Sequence, residues 1–154
     1  MEEDEELHLE MHRAADELGK FAAKLHVVDP KGFTEDRAKK LMDSLLTTVT
    51  IECFKDGADL IGHVKAFLRS PKGTLMASLV DRSVGVQLTS GLEKEKFAEA
   101  EITLHVIVHG IWDDKVRDAS RRGIDKVIKQ YGLELEVLQD YYDTEKSISH
   151  HLKK

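Results

Sequence analysis

Cysteine is nearly missing from this chain: Cys53 is alone among 154 residues. It has no partner for an intrachain disulfide and cannot found a thiolate metal site, which excludes a disulfide scaffold and fits a reducing compartment. Long apolar runs are missing as well. No stretch approaches the roughly 20 apolar residues of a membrane span. The sequence opens Met-Glu-Glu-Asp-Glu-Glu, where a secretory leader would carry base followed by an apolar block. The expectation is a cytoplasmic protein that crosses no membrane. The motifs G-x-S-x-G, G-x-G-x-x-G and G-x-x-x-x-G-K-[ST] do not occur, so the hydrolase elbow, the dinucleotide fold and the P-loop lack their signatures.

An excess of base is absent too. There are 23 Lys and Arg against 29 Asp and Glu; Glu2–Glu6 hold five of the acids, which leaves 24 acids against 23 bases in the body. The densest basic run, Arg117, Arg121, Arg122, Lys126 and Lys129, is interleaved with Asp113, Asp114, Asp118 and Asp125. Mixed signs of that kind describe the solvated side of a helix and not a nucleic-acid footprint. Nucleic acid is therefore not the expected partner.

What is present is an ordinary globular composition. The hydrophobic share is 41%, with ten glycines besides, and a chain this long buries roughly 68–70% of its unfolded surface. One domain over 1–154 is expected, with an acidic tail at 1–6 and a polar tail at 140–154. Leu7, Met11, Ala14, Leu18, Phe21 and Leu25 are spaced 4, 3, 4, 3, 4, a narrow stripe that predicts a helix over 7–25 packing on a partner helix. Asp29-Pro30-Lys31-Gly32 breaks that pattern. Thr34 is the expected N-cap of a second helix with the stripe Ala38, Leu41, Met42, Leu45 and Leu46. From Thr47 to Phe54 the period shifts to two, predicting a strand with Cys53 buried and Glu52 outward.

Asp56-Gly57 is a turn. Residues 60–69 fit two periods, a helical stripe of Leu60, Ile61, Val64, Phe67 and Leu68 or a strand with Val64, Ala66 and Leu68 inward. The strand is favoured because Gly62 would weaken a helix and Ser70-Pro71-Lys72-Gly73 reads as a hairpin loop into a strand over 74–80. A strand over 84–89 follows. The strongest strand is 101–109, with Ile102, Leu104, Val106 and Val108 on one face. A third helix opens at Asp113 or Asp114 and closes before Gly132, and a strand over 133–138 is expected to run parallel to 101–109 through a right-handed crossover. The predicted class is α+β: one mostly antiparallel sheet of five or six strands, with two N-terminal helices and one crossover helix on one face. Its other face would be open.

Eight histidines stand out. Alternation places Glu101, Thr103, His105, Ile107 and His109 on the open face of the strong strand, and Ile61, His63, Lys65 and Phe67 on the open face of 60–69. Glu52 and Ser78 would point the same way. Imidazoles that titrate near neutral pH beside an ammonium and carboxylates suit acid-base chemistry. On that reading His63, His105 or His109 exchanges protons, Lys65 stabilises a developing anion, and Glu101 or Glu52 orients an imidazole. A divalent metal is the cofactor such a group suggests, with His63 and His105 as ligands, because His105 and His109 lie roughly 13 Å apart on one strand and cannot share an ion. His8 and His12 form an i, i+4 pair without the glutamate of H-E-x-x-H, His150-His151 belong to the polar tail, and His26 ends the first helix. Cys53 would act as a small buried apolar side chain, facing away from His63.

Two functions remain open from sequence. One is a small cytoplasmic accessory or binding module that self-associates, as a dimer by preference, through its open sheet face or the 7–25 helix, which also suits a protein partner. The other is a small-molecule enzyme or metal-binding protein built on the histidines.

Overall fold

The computed structural model describes residues 18–140. The expectations for 1–17 and 141–154, including the acidic and polar tails, His8, His12, His150 and His151, lie outside the described residues.

Alternation with period two sets the centre of the molecule. In β1 (Leu18–Phe33), Phe21, Ala23, Leu25 and Val27 are buried while Lys20, Ala22, Lys24 and His26 face the other way. This corrects the 18–25 part of the helix predicted over 7–25; its 7–17 part lies outside the described residues. Leu18, Phe21 and Leu25 satisfy a helical spacing, but Ala23, between them, and Val27, beyond them, complete a strand. The 29–32 segment interrupts the pairing of this strand instead of ending a helix: Val28 pairs with Glu99, then Phe33 with Phe97, with the irregularity between them. There the buried Asp29 accepts from Lys31 N–H at 3.0 Å and from Arg37 Nε at 2.6 Å. Arg37 also donates to the Tyr131 carbonyl at 2.7 Å and lies over that residue's ring, so one guanidinium fastens the bulge to both helices.

Helix α1 (Glu35–Lys55) starts as the sequence predicts, with the Thr34 hydroxyl accepting from Arg37 N–H at 3.1 Å. It does not stop at Thr47. The stripe continues through Val49, Thr50 and Cys53, and the Thr50 hydroxyl donates back to the Leu46 carbonyl at 2.8 Å. The strand predicted over 47–54 is thus the last two turns of a helix. β-branched residues pack there because their positions serve period 3.6 as well as period two. Next come β2 (Leu60–Ser70), β3 (Gly73–Leu79), β4 (Gln87–Ser90) and β5 (Phe97–His109). Helix α2 (Asp113–Tyr131) ends at Gly132 in the left-handed region (φ 64°), as its C′ glycine requires. β6 (Glu134–Asp140) closes the described chain.

The six strands form one sheet in the order β4-β3-β2-β5-β1-β6, with every neighbouring pair antiparallel. β6 lies parallel to β5, as the crossover reading requires, but β1 is inserted between them. The same holds for β1 and β2, which flank β5. Two split β-α-β units therefore interlock, the β-α-β-β-α-β arrangement of ferredoxin-like domains widened by the hairpin strands β3 and β4. Among the described residues there are two helices, not three, and both cover one face. Val27, Leu68, Leu75, Ile102, Leu104 and Val106 from four strands meet Leu41, Leu46, Val49 and Val116 from the helices in a single core. No described helix is long and apolar enough to cross a membrane. Among the described residues the opposite face of the sheet carries no helix, and Ile61, expected on that face, instead pairs with Val108 and packs against the core because the register shifts between Ile61 and His63.

Candidate functional site on the open sheet face

Cross-strand register builds this face row by row. His109 at the end of β5 lies opposite Leu60 and Leu18; Ile107 lies between His63 and Lys20; His105 lies between Lys65 and Ala22; Thr103 between Phe67 and Lys24; and Glu101 between Arg69 and His26. On the far side of β2, Ser78 pairs with Lys65 and Met76 with Phe67. On the far side of β1, Glu136 pairs with His26 and Glu134 with Val28. The extended conformation of 60–69 and its pairing with 101–109, on which the sequence argument depended, are both present. His63, His105 and His109 hold positions on one face of two adjacent strands, with His63 diagonal to each of the other two.

Geometry divides these residues further. His109 Nδ1 lies 2.5 Å from Asp59 Oδ1 in the loop before β2, which ties this imidazole to the rim. Glu101 orients no imidazole. Its carboxylate takes Arg69 at 3.1 Å and Lys24 at 3.4 Å, and these cations, the Arg69 guanidinium first, hold it below the usual carboxylate range. His105 and Lys65 are direct cross-strand neighbours, so an imidazole and an ammonium stand side by side. Among the described residues, the side chains of Lys20, His63, Lys65 and His105 have no carboxylate partner, though the Lys20 backbone N–H donates to Asp113 at 2.8 Å. Nor do three His, Cys, Asp or Glu side chains of those residues come together as a metal site would need; His63 and His105 alone would offer two ligands.

Apolar side chains interrupt the polar rows. Phe67 is 36% and Met76 40% exposed, side by side on β2 and β3, and Ile107 is half-buried beside His63. At the opposite end a shallow pocket of about 190 Å³ is lined by His26, Arg69, Ser70, Pro71, Glu99, Ala100 and Glu101. Its charges cancel locally, since Arg69 pairs with Glu101 and His26 Nε2 lies 3.2 Å from Glu99. The face is consequently bipolar. Unpaired cations and imidazoles occupy the end shared by β1, β2 and β5, and Glu134 and Glu136 occupy the corner made by β6.

One expected member, Glu52, lies elsewhere. Glu52 sits under α2, with one carboxylate oxygen 2.9 Å from Lys126 Nζ and the other 3.0 Å from Lys55 Nζ. Cys53 is buried, as expected, but in a helix; desolvation pushes its thiol up to about 11, so it is not an anionic nucleophile at neutral pH. Sequence reasoning missed Lys20, Lys24 and His26. Their signal was the alternation of β1 itself, hidden by the helical spacing of its apolar residues. No protein-family model matches this chain, and no curated protein matches its sequence.

Proposed function

We infer that this protein is a small cytoplasmic binding module, without a reaction of its own, that pairs with a second copy through the open face of its sheet. The observation that supports this is the bipolar face with Phe67 and Met76 exposed near its middle. Exposed apolar side chains inside a charged surround mark association surfaces. A twofold axis lying across the dipole of the face sets the Glu134 and Glu136 corner of one copy over the Lys65 and His105 end of the other. Like charges are then kept apart, and each Phe67 comes near the centre. Isologous pairs of this kind are the commonest oligomers. The 7–25 helix has no part in the proposal, because 18–25 is a strand.

Sedimentation equilibrium tests it. The full chain should behave as a dimer, and Phe67→Asp should shift it to monomer with its circular dichroism unchanged, since Phe67 lies outside the core. A chain that is monomeric at every concentration would sink the proposal.

A second reading keeps the face as the acid-base site of a small-molecule enzyme, with His63 and His105 exchanging protons and Lys65 holding an anion. The Lys65 and His105 pair favours it. Inorganic phosphate, as a small anion probe, should move the ring resonances of His63 and His105 in the parent chain and leave them in place in Lys65→Met. Resonances that ignore phosphate in the parent chain remove this reading.

A further inference from the structure

The charge of the chain is unevenly placed. Residues 18–140 hold nineteen acids and nineteen bases, and residues 1–17 hold eight carboxylates against Arg13 alone, a net charge of −7. That acidic segment joins the sheet at Leu18, whose register partner is His109. Lys20 and Ile107 form the next row of the open face, and His105 and Lys65 lie in the row beyond. The most anionic stretch of the sequence is therefore attached at the end of the face where the side chains of Lys20, His63, Lys65 and His105 have no carboxylate partner among the described residues; His109, at its rim, is held by Asp59.

We propose that the acidic segment 2–17 docks in cis on the cationic end of its own open face and competes there with the second copy. The proposal rests on the reading of that face as a docking surface and adds its regulation. Reach is sufficient: sixteen residues span up to roughly 50 Å when extended, against about 27 Å for 101–109. A tether this short presents the segment at about millimolar effective concentration. A second copy offers the same end only Glu134 and Glu136. The segment brings eight carboxylates, and this difference in charge selects it as the occupant. Face pairing then strengthens whenever the segment is neutralised or drawn away.

The test uses the full chain with a nitroxide on Glu5→Cys; Cys53 is buried and does not compete for the label. Amides of 63–67 and 103–107 should be broadened and those of α1 should not. The broadening should fade in about 1 M salt, where the Debye length is roughly 3 Å, and in Lys65→Glu or Lys20→Glu. Absent or evenly spread broadening overturns the proposal. So does broadening seen only when label and isotope are on different chains, which would assign the contact to the partner copy. Replacing Glu2, Glu3, Glu5 and Glu6 by Gln and Asp4 by Asn should tighten self-association about 5-fold or more, the lower end of ordinary coupling between binding events; an unchanged constant counts against it. If the chain is monomeric, the spin-label result alone decides this proposal, while the dimer proposal falls separately. If the chain is dimeric and the label silent, the dimer stands and the cis contact is rejected.

Discussion

Glu52 is only 3% exposed, yet it stays ionised. Lys126 and Lys55, helped by Arg122 at 3.5 Å, outweigh the desolvation that opposes its charge and bring its pKa from 4.5 to about 2. A carboxyl whose native pKa is depressed gives stability that is fully present above its unfolded value and disappears as pH falls from 4.5 toward 2. Glu52→Gln should therefore cost about 1–3 kcal/mol at pH 7, the range for a hydrogen bond to a charged group. The difference between variant and parent should shrink steadily in denaturation series run at lower pH. A gap that persists at pH 2 would show that the effect is packing. The cost stays below that of breaking a fully buried pair because the three cations are themselves 44–61% exposed. None of this was legible in the sequence: two of the three cations come from a helix some 70 positions downstream, and Glu52 was read on a strand. His63, Lys65, Phe67 and His105 were legible, because strict alternation across two strands fixes their side of the sheet without knowledge of anything else.

Helices α1 and α2 pack tightly where Gly123 faces Val49. A Cβ on Gly123 would stand 2.9 Å from the Val49 Cα, and backbone has little room to yield. Gly123→Ala should then destabilise the protein even though alanine favours a helix by about 1 kcal/mol. An overpacking cost of about 1–3 kcal/mol leaves a net loss near 1 kcal/mol, measurable as a lower urea midpoint. A rise in the midpoint would mean that the helices can slide apart. At this scale the sequence was a fair guide wherever an element is bounded by its own chemistry: the Thr34 cap, the Ser70–Gly73 hairpin, the run 101–109 and Gly132 all stand where predicted. It misled where one set of residues serves two periods. Leu18, Phe21 and Leu25 fit a helical seam and Val49, Ile51 and Cys53 fit a strand; only the partners they pack on, β5 and β6 for the first set and α2 for the second, resolve the choice.

For the whole molecule, split connectivity sets the function that we infer. Placing both crossover helices on one side leaves the other side of the six strands uncovered by any described residue, and the chain distributes acids and bases across that surface unequally. Association through a bipolar face should weaken with ionic strength. In the variant with residues 2–6 neutralised, where the competing segment is weakened, the dimer constant should fall between about 0.1 M and 1 M salt, where the Debye length drops from roughly 10 Å to 3 Å; a constant that rises with salt in that variant would point to apolar contact alone. The sequence indicated the open face and its polarity but not the crossed order of strands, because a crossover fixes which strands run parallel without fixing what is inserted between them. The borders of the sheet carry a last consequence. β4 is four residues long, and β6 is irregular in its pairing between Lys24 and Leu25 while presenting Glu134 and Glu136. Short, bent or charged margins are poor templates for adding further strands. Growth by strand addition into fibrils is thereby discouraged, and crowding of this protein should yield closed pairs that remain dissolved.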